Sequence, residues 1–473
     1  GKLTVATHDP TNLLALDEVR AAVGEDVDVV LSTSEMIQKA LDQYYSGARM
    51  PHHKSSDADS GEKDSVFKLE KHDDLFGGLE IATQEAQEVP IIKMVNSIIM
   101  TAVEEKASDI HIEPEENMLR IRSRVDGVMH EMMTLERKML SPIVSRIKIM
   151  SKLDIAETRK PQDGKIRLKI ENQDLDLRVS TFPTTHGENI VLRILEQSKV
   201  VLGMAELGIE IEMIKKVEAL IVKPYGMVLV TGPTGAGKTT TLYAMLNKIN
   251  SMDKNIITIE DPVEYQMAIV RQTQVNPKAG LTFSTGLRNI LRQDPDVILV
   301  GEIRDTETVN IAIEAALTGH LVFSTIHTND AAGAVTRLLD MEIEPFLISS
   351  SLLGILAQRL VRMVCEKCKE SYTVSPEVLK KFGVKTEQTK FYRGVGCNEC
   401  KRTGYIKRIG VYELLVIDEE IRRFILTKAS NKEIRALALK KGMISMRIDG
   451  FRKAERGITS IEEVLKATLE EEE

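Results

Sequence analysis

The chain has 473 residues, which at about 150 residues per domain predicts roughly three domains. Hydrophobic residues make up 42%, charged residues 28% and the formal net charge is −8, a globular balance that argues against a generally basic nucleic-acid binder. The most apolar long run, 346–361, is broken by Ser349–Ser351, Gly354, Gln358 and Arg359, well short of the ~20 apolar residues that span a bilayer.

In chain order, Leu3–Ala6 and Asp28–Leu31 predict short strands, and 17–24 and 34–45 predict helices. This thin set fits the tail of an N-terminal domain, and Gly1 fits a piece cut from something longer. Residues 46–88 are polar and predict a flexible linker with a short helix near 66–69, because such a segment cannot bury enough apolar area to offset its ordering entropy. A helix is expected from Val89, with Pro90 in its first turn. Strands follow at 109–113, 119–125, 165–170, 175–180 and 190–194, an α+β domain over 89–200. From about Leu207 strands and helices alternate as in a doubly wound parallel sheet, extending over 207–473. The acidic end, 470–473, reads as a frayed helix terminus.

Met227–Val230 is a buried-strand run leading into Gly232-Pro233-Thr234-Gly235-Ala236-Gly237-Lys238-Thr239-Thr240, and a helical pattern follows. This G-x4-GK[ST] spacing lets backbone N–H groups turn around phosphate oxygens at the positive end of a helix. Lys238 is expected to reach the β- and γ-phosphates, and Thr239 to offer its hydroxyl to Mg²⁺. A second strand, 297–300, ends in Gly301-Glu302, where an acid on the metal side of the site can hold Mg²⁺ through water. Between them, Ile256–Glu260 leads into Asp261-Pro262-Val263-Glu264, bringing carboxylates to the same sheet edge. Glu264 is the first candidate for the base that activates water and Glu302 the second; a capping or ion-pairing role is open for each. His327, in Ser324-Thr325-Ile326-His327, is expected to sense the γ-phosphate by hydrogen bond, and His320 joins it as a weaker candidate.

Cys365-x2-Cys368 and Cys397-x2-Cys400 use every cysteine in the chain. Two facing knuckles of this spacing fit one tetrahedral structural Zn²⁺ in a subdomain over 362–405; a redox pair or free buried thiols are the alternatives.

The order of these motifs resembles the secretion ATPase family of type II secretion and type IV pilus assembly (GspE/PilB-like), from about Val89 to the C-terminus. Ser108-Asp109-Ile110-His111-Ile112-Glu113-Pro114 and Arg124-Val125-Asp126-Gly127 look like that family's middle domain. The resemblance implies a PAS-like α+β middle domain followed by a P-loop, RecA-like domain, assembled as a hexamer. It places Glu260 among the nucleotide-binding residues and gives Arg178 and Arg193 the role of fingers toward the triphosphate, with Arg288, Arg292 and Arg304 in reserve. Residues 3–45 look like the end of the family's N-terminal domain, whose full form docks on membrane-platform proteins and in some members binds cyclic di-GMP; that ligand is not expected of residues that resemble only the end of the domain.

The expectation is therefore a cytoplasmic ATPase using ATP, Mg²⁺ and Zn²⁺, peripheral to the bacterial inner membrane. It would move its two domains across the 198–207 connection and drive an inner-membrane platform protein in pilus assembly. Type II secretion is the alternative reading. A RecA-like nucleic-acid motor is the remote one, because that would want a basic channel bearing aromatics.

Overall fold

A computed structural model describes residues 3–7, 27–32, 85–170, 173–196, 202–375 and 390–468. The expected helices at 17–24 and 34–45, the linker up to residue 84 with its short helix, residues 198–201 of the connection and the acidic end lie outside the described residues. The chain divides into two units, 1–66 and 67–473. In the first, β1 (Leu3–Thr7) and β2 (Val27–Leu31) pair in parallel.

The second unit opens with α1 (Glu85–Glu104), which begins before Pro90 because Glu, Ala and Gln at 85–87 are good helix formers. Then come β3 (Asp109–Pro114), β4 (Met118–Val125), β5 (Val128–Glu136), α2 (Leu140–Met150), β6 (Gln162–Ile170), β7 (Gln173–Thr184) and β8 (Gly187–Glu196). The six strands form one antiparallel sheet in the order β5-β4-β3-β8-β7-β6. Ile98, Ile99 and Ala102 of α1 and Ile143 and Ile147 of α2 bury against Ile110, Ile112, Leu177, Val179 and Leu192. Because side chains alternate across a strand, that packing leaves the intervening residues on the other face. There the register aligns Lys165, Arg178, Arg193, Asp109 and Arg124 in one row across five strands.

The second sheet is built from α3 (Ile211–Ile221), β9 (Gly226–Thr231), α4 (Lys238–Ile249), β10 (Ile256–Glu260), β11 (Arg271–Gln274), α5 (Phe283–Ile290), β12 (Val297–Val300), α6 (Thr306–Leu317) and β13 (Leu321–Ile326). It continues through α7 (Ala331–Asp340), α8 (Pro345–Ser351), β14 (Leu352–Val364) and β17 (Tyr405–Val416), between which β15 (Lys369–Thr373) and β16 (Lys390–Gly394) pair antiparallel as a separate two-stranded sheet. Strand order is β11-β10-β12-β13-β9-β14-β17, parallel except that β17 runs antiparallel to β14. Met227 and Leu229 face one apolar core, Val228 and Val230 the other. Helices cover both faces, as a doubly wound sheet requires. Four helices close the chain, α9 (Glu419–Leu426), α10 (Asn431–Lys440), α11 (Met446–Glu455) and α12 (Ile461–Thr468). No helix among the described residues is long and apolar enough to cross a membrane.

Candidate functional site

The loop between β9 and α4 takes its shape from backbone geometry that only glycine tolerates. Gly232, Gly235 and Gly237 all have positive φ. A Cβ on Gly232 would stand 2.4 Å from the carbonyl oxygen of Gln358 on the neighbouring β14, so the loop lies directly against that strand. Gln358 is buried, and its side-chain amide donates to the carbonyl of Ala236 at 2.5 Å. The Lys238 ammonium, the first residue of α4, donates to the carbonyls of Gly232 (2.8 Å) and Pro233 (3.1 Å). Burial pulls its pKa down, opposed by the nearby Glu302 charge. Thr239 and Thr240 are half-buried in the first helical turn, while Pro233, Thr234 and Gly235 are exposed. A loop of inward-turning amides, a helix N-terminus and a lysine fits a triphosphate.

The other strands end at the same edge. Glu302 follows β12 and is only 13% exposed, with Arg304 Nε at 2.7 Å and His327 Nε2 at 3.6 Å. Burial lowers the His327 pKa, and the Lys238 charge lowers it further. Hydroxyls stitch the edge together: Ser324 donates to the Val300 carbonyl (2.7 Å), Thr325 to the Gly301 carbonyl (2.8 Å) and Thr231 to the Ile326 carbonyl (2.8 Å). Gly301, where an Asp is usual, has its reason in packing: a Cβ there would press to 3.2 Å of the Glu260 Cα.

His320 is not part of this edge. It precedes β13, and a six-residue strand separates it from the phosphate side by about 20 Å. Its Nδ1 instead lies 3.0 Å from the Ala315 carbonyl, closing α6. Glu260 also departs from the expected nucleotide contact. It ends β10 but is 2% exposed, its carboxylate taken up by the hydroxyls of Tyr243 and Thr258 and the amide of Gln272. Burial raises its pKa.

Glu264 is accessible, 36% exposed, with Arg178 of β7 at 3.5 Å. Arg193, directly opposite Arg178 on β8, bonds Asp109 at 2.9 Å. Burial raises the Asp109 pKa, but hydrogen bonds from Arg193 and Ser108 outweigh it and hold the carboxyl below its usual range. Lys165, Arg178 and Arg193 share a cleft of about 450 Å³ with Asp261, Pro262 and Gln274. Of the reserve arginines, Arg304 joins Glu302, Arg288 pairs with Glu307 at 2.7 Å, and Arg292, in the turn after α5, bonds Asn289 of that helix. A larger cleft of about 870 Å³ runs from Gly237, Thr240 and Thr241 to Arg362, Tyr405 and Arg408 on one side and Glu105, Asp126 and His130 on the other.

The four cysteines meet between β14 and β17. Their sulfurs lie within 4.8 Å of one another, with Cys365–Cys397 and Cys368–Cys400 at 3.8 Å and Cys397–Cys400 at 3.7 Å. A regular tetrahedron with metal–sulfur bonds of about 2.3 Å has edges of about 3.8 Å, so the set fits one Zn²⁺. The N–H groups of Gly396, Cys397 and Gly404 point at the sulfurs of Cys368 and Cys400 at 3.1–3.3 Å. Burial raises the Cys368 thiol to about 12, whereas the N–H groups of Cys397 and Gly404 overcome burial at Cys400 and bring it to about 6.

Sequence reasoning missed Gln358, the cation row that includes Lys165, and the Tyr243–Gln272 pair around Glu260. Gln358 carried a usable signal, a lone amide inside the apolar run Ile355-Leu356-Ala357-Gln358.

Residues 84–466 match the family model described as "Type II/IV secretion system protein", and residues 1–51 match the MshEN domain. The chain belongs to the type II/IV secretion ATPase family. It is 44% identical to the type IV pilus assembly ATPase PilB of Thermus thermophilus over 99% of its own length and 52% of that protein's. It is 46% identical to the type II secretion system ATPase E of Vibrio cholerae, covering 98% of this chain and 91% of that one. Among solved structures, the pilus retraction motor PilT with bound ADP matches at TM-score 0.54 and 28% identity, over 78% of this chain and 96% of PilT. The Legionella pneumophila ATPase DotB shares the fold at TM-score 0.59 and 23% identity, over 80% of this chain and 96% of that one.

Proposed function

We propose that this secretion-family ATPase binds ATP with Mg²⁺ at the 232–240 loop, hydrolyses it, and uses the turnover to drive type IV pilus assembly. The observation that carries the reading is convergence: Lys238, Glu302 and His327 share one sheet edge, and Arg178 of the antiparallel sheet meets Glu264 beside it. Loop amides and Lys238 bind the β- and γ-phosphates. Thr239 and Glu302 hold Mg²⁺, which neutralises charge between the phosphates. Glu264 orients and deprotonates water, with Glu302 the other candidate for that task. Arg178, and Arg193 beside it, stabilise charge developing on the phosphoryl group, and His327 bonds the γ-phosphate. The nucleoside extends from Thr240 into the larger cleft. Zn²⁺ at Cys365, Cys368, Cys397 and Cys400 is structural, since four thiolates leave no open position for water.

The working form in this reading is a hexamer at the cytoplasmic face of the inner membrane, moving an inner-membrane platform protein that adds pilin subunits. The closeness to the Vibrio type II secretion ATPase supports a second reading, pseudopilus assembly and protein export. Deleting the gene separates the two: lost surface pili support the first, retained exoproteins the second. Lys238→Ala is expected to abolish ATP hydrolysis, read as phosphate release; wild-type turnover in that variant overturns the site.

A further inference from the structure

The loop that carries Glu264 is fastened at four points to two side chains that no step above uses. Tyr243 projects from the phosphate-loop helix α4 and is fully buried. Its hydroxyl donates to the Glu260 carboxylate, and the backbone N–H of Glu264 approaches the same oxygen. Gln272 of β11 lies beside it, its Nε2 at 3.2 Å from the Tyr243 hydroxyl, 3.2 Å from Glu260 and 3.1 Å from the carbonyl of Tyr265. The opposite end of that amide accepts from the backbone N–H of Met267 at 2.7 Å. The Tyr265 ring stands edge-on to Tyr243, centroids 4.6 Å apart. Glu260, Glu264, Tyr265 and Met267 are thus all held from one side, and the holding side includes the helix whose first residues face the phosphates.

We propose that Tyr243 and Gln272 are positioning residues for hydrolysis, clamping the 260–267 loop to the phosphate-loop helix so that the Glu264 carboxylate stands at a fixed distance from the γ-phosphate. The inference rests on the reading of Glu264 as the residue that activates water. A buried tyrosine and a half-buried glutamine cost free energy unless their polar groups are paired, and here their bonds go to this loop and to each other. Nucleotide binding needs the loop amides and Lys238, neither of which touches the clamp. The clamp therefore acts on turnover and leaves affinity alone.

The test compares Tyr243→Phe, Gln272→Met, Glu264→Gln and the double variants on the full chain, reading kcat, KM and the affinity for a non-hydrolysable ATP analogue. Phenylalanine keeps the ring and removes only the hydroxyl, and Gln272→Met is an independent arm should Tyr243→Phe fold poorly. Tyr243→Phe is expected to lower kcat about 100-fold, with analogue affinity within about twofold of wild type. Placed on Glu264→Gln, it is expected to subtract less than about twofold more, because a displaced loop costs nothing once its carboxylate is gone. Normal kcat in Tyr243→Phe and Gln272→Met, or a full further loss on the Glu264→Gln background, overturns the proposal while the base assignment stands. Wild-type kcat in Glu264→Gln itself overturns the base assignment and the clamp together.

Discussion

At the residue scale the candidate site is a set of charges whose neighbours decide their protonation. His327 stands between Glu302 and the Lys238 ammonium, and burial together with that ammonium depresses its pKa. The folded protein therefore holds the imidazole neutral where the unfolded chain would begin to protonate it. The folded state binds fewer protons, so stability falls as pH drops from the ordinary histidine value of about 6.5 toward the depressed one, and levels off below both. Replacing His327 by Gln is expected to flatten that decline, measured as melting temperature against pH between about 7.5 and 5. A wild-type curve no steeper than the variant's contradicts the assignment. The motif residues were legible because phosphate-loop chemistry dictates residue types at fixed spacing, as at Gly232–Thr240. His320 and Glu260 stand apart from the phosphate side for different reasons. A strand's beginning and end carry similar polar residues, and only strand direction places His320 at the far edge. Glu260 ends its strand at the near edge but is taken up by Tyr243, Thr258 and Gln272.

At the element scale, strong alternation announced β3, β4, β7 and β8, whereas β5 escaped because it is an edge strand without a buried alternating face. The parallel strands β9, β10 and β12 were readable as continuous apolar runs, every residue of each being buried. The β4–β5 turn has a task that its sequence did not disclose. Asp126, at φ 49°, accepts the backbone N–H of Lys407 at 2.8 Å and pairs with Arg408 at 3.5 Å. Nearby, Glu105 pairs with Lys401, the residue after Cys400, at 2.5 Å. These contacts lie along the rim of the larger cleft and tie the antiparallel sheet to β17. Asp126→Gly keeps a backbone that tolerates this φ and deletes the carboxylate. It is expected to weaken ATP-analogue binding by about fivefold, roughly 1 kcal/mol, in a fluorescence titration. Unchanged affinity means that this rim contributes nothing to nucleotide capture.

At the largest scale, within the second unit, the six- and seven-stranded sheets and the cysteine cluster flank the candidate nucleotide site. Purified protein is expected to carry close to one Zn²⁺ per chain, and Cys365→Ser or Cys400→Ser to lose it, read by metal analysis with thiol titration. Far less metal in the wild type, with four freely titrating thiols, contradicts the tetrahedral site. Chain order alone could not disclose that the knuckles sit beside β4 and β5, since those contacts join residues 281 positions apart, as from Asp126 to Lys407.

β14 deserves a mechanical reading. One 13-residue strand carries Gln358, which props the phosphate loop, shifts register between Arg362 and Val364, and ends one step before the first cysteine. From Gln358 to Cys365 is about 23 Å of extended backbone, paired along one edge with β17, while β9 flanks the strand only up to Ala357. A push at the zinc end travels along this one strand, through the irregularity at Arg362–Val364, before it arrives under Ala236. Adding a single amino acid between 358 and 365 would invert the pleat and turn the knuckle toward the opposite side, so the length of this strand is as constrained as any catalytic group.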